Sequence, residues 1–258
     1  MRQILSISVI LIVGALGAGA QNPQQTPPKP AEAAPAVESL PTADHILTAY
    51  VDALGGKAAM EKVTSRLVRG TFEIPAMGAA GDFESYAKAP NKTILTFTLP
   101  GFGTFQQGFD GTVAWSQDPT SGLRELTGTE LAAVKLDADF YREIRRKELY
   151  PTLKVRGKEK VGDRTAYVIE ATPVEGATET WYFDTETGLL LRTDVERETP
   201  QGKIPTETSY EDYKDVGGFK MPMTIRQSTP VFTLTIRITE VKLNVEIDDA
   251  KFKKPVAQ

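Results

Sequence analysis

The side chains that could carry out chemistry are mostly carboxylates. Asp82, Glu84, Asp110, Asp184, Glu186, Glu207, Glu211 and Asp212 lie at expected turns or on expected strand faces. Two carboxylates in different environments can divide into a general acid and a general base. Spacing along separate strands does not bring any two of these together. His45 is the single histidine. A histidine works as a base or ligand with partners that orient it, and none adjoins it. No G-x-S-x-G elbow, H-E-x-x-H pair, P-loop or EF-hand loop occurs. Gly101-Phe102-Gly103 starts like a dinucleotide-binding loop, but Gln106 stands where the third glycine belongs and no helical pattern follows. The chain has no cysteine, which excludes disulfides, a thiolate nucleophile and cysteine-ligated zinc. The reading is therefore of a non-enzyme without metal or cofactor. One charge cluster remains, Arg142-Glu143-Ile144-Arg145-Arg146-Lys147. It complements the negative C-terminus of an expected helix and reads as a solvated helix end rather than an anion site. A net charge of −4 gives no electrostatic ground for nucleic acid as a partner.

The N-terminus reads as an address. Arg2 precedes a nearly continuous apolar run from Ile4 to Leu16, and Ala18-Gly19-Ala20 offers a small-x-small cleavage pattern. The run is shorter than the roughly 20 residues of a membrane span. Residues 1–20 are thus an expected signal peptide cleaved after Ala20. No cysteine is available for a lipid anchor, so a soluble periplasmic location is expected. Residues 21–40 are rich in Pro, Ala and Gln and cannot bury enough to order themselves. They read as a disordered linker before a domain spanning 41–258.

The domain opens with a helix. Thr42 is its expected N-cap, Ile46, Leu47, Tyr50, Val51 and Leu54 share one face, and Gly55-Gly56 ends it. Strand sequence follows. Leu95, Phe97 and Leu99 alternate with Ile94, Thr96 and Thr98, and Asp110-Gly111 marks a hairpin. Thr127 and Glu130 form an expected capping box for one helix running to about Leu149. Strands then resume. Phe232, Leu234, Ile236 and Ile238 face one way, but Val241, Leu243, Val245 and Ile247 fall in the other phase. Such a slip requires a bulge near residues 239–242. Two further hairpins are marked by turns at Asp184–Gly188 and at Gly217-Gly218. The expected class is α+β, mostly β: ten to twelve strands in a single large curved antiparallel sheet. It forms an unclosed barrel, with helices covering the concave face.

Two stretches carry a family resemblance: Trp181-Tyr182-Phe183-Asp184-Thr185-Glu186-Thr187-Gly188-Leu189-Leu190-Leu191-Arg192, and Tyr210-Glu211-Asp212-Tyr213 through Gly217 to Pro222–Ile225. With the order of elements, they make residues 41–254 resemble the LolA/LolB-like lipoprotein-carrier superfamily. The resemblance implies an unclosed barrel with a helical lid over an apolar cavity that binds acyl chains. The expected function is a carrier or binding protein for a lipid or acylated protein in the cell envelope. The alternative is an interaction module that binds envelope proteins through its sheet edge or through Phe102 and Phe105. A monomer is expected. Candidate ligand-binding residues are Leu95, Phe97, Leu99, Phe102, Phe105, Trp115, Phe232, Leu234, Ile236 and Ile238.

Overall fold

The computed structural model describes residues 39–199 and 202–256. The expected signal peptide and residues 21–38 of the expected linker lie outside the described residues. The strands are β1 (Ser65–Ile74), β2 (Ala79–Lys88), β3 (Lys92–Leu99), β4 (Gly103–Phe109), β5 (Ala114–Asp118), β6 (Gly122–Glu125), β7 (Thr152–Val161), β8 (Arg164–Thr172), β9 (Glu179–Asp184), β10 (Leu190–Thr199), β11 (Gly202–Val216), β12 (Phe219–Ser228) and β13 (Thr233–Leu243). The helices are α1 (Ala43–Ala53), α2 (Lys57–Met60), α3 (Gly128–Ala138) and α4 (Arg142–Leu149).

The described strands form one 13-stranded sheet in the order β6-β5-β4-β3-β2-β1-β13-β12-β11-β10-β9-β8-β7. So many strands curl, because each is twisted against the next. The order has a topological consequence. β6 and β7 follow each other in the chain but occupy opposite edges, so the connection between them must span the open side. It does so as α3 and α4. Val134 and Ala138 of α3 bury against Phe109 and Ala114. Ile46, Leu47, Tyr50 and Leu54, on α1 and its C-cap, join Ile169, Trp181 and Phe183 in a second core.

Local chemistry explains most elements. Thr42 caps α1 by accepting the His45 amide at 3.2 Å. The β9–β10 turn lies directly under this helix. Gly188 has φ +72° there, and an added Cβ would come 3.1 Å from the Ala49 carbonyl oxygen. The bulge expected near residues 239–242 occurs at Thr239: Arg69 pairs with Glu240 and Gly70 with Ile238. It keeps both Val241 and Ile238 against the same core.

The helix expected from Thr127 to Leu149 is instead two helices. Asp139 leaves helical geometry, and its carboxylate accepts the Tyr141 amide at 3.0 Å. The Phe140 amide donates to the Pro90 carbonyl at 2.9 Å, which bends the chain before α4 begins. Thr127 makes no side-chain cap. Glu130 turns to the Arg124 guanidinium instead, with contacts of 2.7 and 2.8 Å, a bidentate charged pairing stronger than a neutral cap.

On the outer face, Ile94 and Trp115 are covered by Ile247 and Phe252 of the C-terminal segment. The Trp115 indole donates to the Phe252 carbonyl at 3.0 Å. Phe252 is fully buried, so Phe252→Ala is expected to cost about 3–5 kcal/mol. Urea denaturation measures this; an unchanged midpoint would show that the segment does not clamp the sheet.

Candidate functional site

The basic run on α4 is not a solvated helix end. Arg146 is 4% exposed, and α4 has little apolar surface to bury. Its guanidinium lies 4.5 Å from the Trp181 ring centroid and 5.4 Å from that of Tyr50, a cation–π arrangement. Glu143 Oε2 accepts from Arg146 Nη2 at 2.7 Å and from the Tyr50 hydroxyl at 2.8 Å. Arg142 donates to Glu179 Oε1 at 2.8 Å and to Asp137 at 2.7 Å. Tyr150 and the Trp181 indole each donate to Glu179 at 2.7 Å. The helical lid is thereby latched to β9. The sequence signal was the four-residue spacing of Arg142 and Arg146. Apart from Glu143, which pairs with Arg146 within α4, their partners are on other elements, out of reach of local reading.

Burial alone would raise the Glu179 carboxyl; Arg142, with the Trp181 and Tyr150 donors, overrides it and holds the group below the usual carboxylate range. Glu143 is held low in the same way, by Arg146 and Arg142 against its burial. Burial pushes the Tyr50, Tyr210 and Tyr213 phenols up. They therefore stay neutral and able to donate.

A cavity of ≈ 390 Å³ lies beneath this latch. A second, of ≈ 660 Å³, shares Asp137, Glu179, Val195 and Arg197 with it. The first is lined by Leu54, Met60, Phe140, Phe219, Met221 and Ile225, but also by charge. Arg66, Arg142, Arg146, Arg197 and Lys220 face Asp137, Asp139, Glu143 and Glu179. The space under the lid is therefore not the purely apolar cavity that the family resemblance implies. Buried Arg142 Nε, Arg146 Nη1 and Arg197 Nε have no hydrogen-bond partner.

Six of the residues expected to bind ligand lie together. Leu95, Phe97, Leu99, Leu234, Ile236 and Ile238 are half-buried around Val68, Phe72, Phe83, Phe219 and Met221. They form an apolar floor that meets the cavity at Phe219 and Met221. Phe97 packs on Phe72 and Phe83 with ring centroids 5.1 and 5.3 Å apart. Phe105 lies opposite Phe97 on β4 and is 40% exposed. Phe102 is 71% exposed in the β3–β4 turn. Phe232 is in the β12–β13 turn, where its carbonyl accepts the Thr229 amide. Register puts these turns at the same end of the sheet as the β1–β2 turn. Trp115 must be corrected: it packs on the outer face with Ile94 and Phe252. Gly108 opposite leaves room for its indole, which a Cβ would approach to 2.4 Å.

Six of the eight scattered carboxylates serve the fold. Asp110 accepts the Thr112 and Val113 amides of its own turn. Glu84 pairs with Arg69, Asp184 with Arg164, Glu207 with Arg192 and Glu211 with Arg226. Asp212 accepts from Thr224. Among the described residues, no cluster of three or more His, Cys, Asp or Glu could hold a metal ion.

Glu179→Gln is expected to destabilise the chain by about 3 kcal/mol at neutral pH, because buried Arg142 loses its main partner. The native Glu179 pKa is depressed. Its stabilisation is therefore complete above the unfolded-state value of about 4.3 and is lost as pH falls through the lower folded-state value. The variant should lose less stability than the native chain across that acidic window. Parallel acid dependence, measured by denaturant midpoints at each pH, would contradict the latch.

No family model and no curated protein matches the chain. Solved structures do match. A DUF1329 family protein from Desulfovibrio piger superposes with a TM-score of 0.58 at 14% identity, covering 81% of this chain and 96% of that one. A LolA superfamily protein from Nitrosomonas europaea superposes with a TM-score of 0.56 at 15% identity, covering 83% of this chain and 99% of that one. At such identities the likeness speaks for architecture. An open antiparallel sheet, a lid crossing between its edges and these superpositions agree: the chain has a LolA-like fold.

Proposed function

We propose that this chain is an exported, non-enzymatic carrier or binding protein for an amphipathic acyl-chain ligand of the cell envelope. The observation that carries the reading is the half-buried apolar floor around Phe97, Leu234 and Ile236, continuous with the cavity beneath the lid. A sheet face that only needed to fill its own interior would be sealed by the helices. Here the helices seal the regions around Trp181 and Phe109 and leave the floor half-buried. A contiguous apolar surface of that kind favours a bound partner. The LolA-like fold supports a lipid carrier in kind, and the expected signal peptide supports a periplasmic site of action.

A second reading has its own observation. Met77, Phe102 and Val231 are 67%, 71% and 76% exposed, all at the end of the sheet where the floor opens. They could instead dock an envelope protein.

Delipidated protein titrated with a fluorescent fatty acid separates the two. Saturable binding is expected. Leu234→Asp should weaken it about tenfold or more, the worth of burying one leucine. Phe102→Ser should leave it nearly unchanged. Absence of saturable binding, or an unaltered affinity in the Leu234 variant, would contradict the carrier reading.

A further inference from the structure

We infer that the ligand carries an anionic head, and that Arg66 receives it at the inner end of the apolar floor. The inference rests on the amphiphile reading above and names the ligand class. Side chains alternate along β1, so Arg66 shares the concave side with Val68 and Phe72 of the floor. It lines the cavity beneath the lid and is half-buried. Among the described residues, no hydrogen bond or ion pair reaches its guanidinium; its aromatic contact is the Phe140 ring, 5.6 Å away.

The lid arginines are already committed. Arg142 is held by Asp137 and Glu179, Arg145 by Asp139 and Glu148, and Arg146 by Glu143. Each carboxylate lining the cavity is thus held by a guanidinium other than that of Arg66. Arg66 is not the counter-ion of the latch; with the exposed Lys220 it is one of two cavity-lining cations outside the ion pairs of the described residues, and the less exposed of the two. Burial pushes its pKa down, with the Glu143 carboxylate opposing. An arginine nonetheless keeps its charge inside proteins. Unlike Arg142 Nε, Arg146 Nη1 and Arg197 Nε, the Arg66 guanidinium has no nitrogen sealed off without a partner, so its donors stand open to the cavity. A carboxylate or phosphate oxygen fits there, because the planar guanidinium offers parallel donors to it.

The distances suit one molecule. Arg66 and Phe72 are six residues apart on one strand, about 20 Å at the rise of an extended chain. An acyl chain laid along the floor would leave its anionic head at Arg66 and its far end near the Phe102 turn. The ligand class is a single-chain amphiphile with a terminal carboxylate or phosphate.

The test uses the delipidated full-length chain, cis-parinaric acid and the methyl ester of the same chain, above the carboxylate pKa. The acid is expected to bind about tenfold or more tightly, the worth of a charge-assisted hydrogen bond. Arg66→Met should bring the acid to the affinity of the ester, leave the ester unchanged and not lower the melting temperature. Equal affinity of acid and ester for the native chain would overturn the anionic-head inference while leaving the amphiphile reading intact. Failure of both to bind would overturn both. Inorganic phosphate alone competing at an affinity matching the acid would overturn the assignment to an amphiphile head, because the site would then take free anions.

Discussion

The buried contact between α4 and β9 governs how this fold is closed. α4 reads Arg-Glu-Ile-Arg-Arg-Lys-Glu-Leu, and hydrophobic burial cannot dock such a helix. Its attachment is electrostatic: Arg142 pairs with Glu179, Arg146 lies over Trp181, and Glu143, paired with Arg146 on the same helix, accepts from the Tyr50 hydroxyl of α1. Buried ion pairs add little net stability beside apolar packing of equal volume, but breaking one side is costly. They therefore fix where the lid sits more than how stable the domain is. The topology makes this matter, since the chain has to cross from the β6 edge to the β7 edge somewhere over the concave face.

The latch also divides the concave face. Around Trp181 and Phe109 the helices bury their own apolar residues and complete two cores. Between them, the face of β1–β3 and β12–β13 is apolar, with Leu95, Phe97, Leu99, Leu234, Ile236 and Ile238 half-buried around buried Val68, Phe72 and Phe83. Where this floor runs under the lid, the lining becomes charged, with half-buried Arg66 and exposed Lys220 outside the ion pairs. An apolar path ending in an unpaired cation is complementary to a molecule that is apolar along its length and anionic at one end.

Local signals in the sequence carried much of this architecture. The turns at Gly188 and Gly217-Gly218, the α1 cap at Thr42 and the bulge at Thr239 each follow from neighbouring residues. So does the floor, because its residues alternate along well-formed strands. The misread elements depend on distant partners. The break at Asp139 involves the Pro90 carbonyl. The burial of Arg146 involves Trp181, while the Glu130 half of the capping box goes to Arg124, six residues away in the chain. Trp115 lies in a five-residue strand between Ala114 and Ser116. Too short to show its own phase, the strand has its facing set by Gly108 across the ladder and Phe252 from the C-terminal segment. No local pattern identifies Arg66 as unpaired, which emerges only when the ion pairs of the lid arginines have been assigned.

Native mass spectrometry of the chain purified without detergent tests the central claim most directly. The account predicts a protein population carrying one bound acyl-chain amphiphile, which organic extraction releases and which is detected as an anion. A single mass equal to that of the polypeptide alone, unchanged after exposure to a membrane lipid extract, would contradict it.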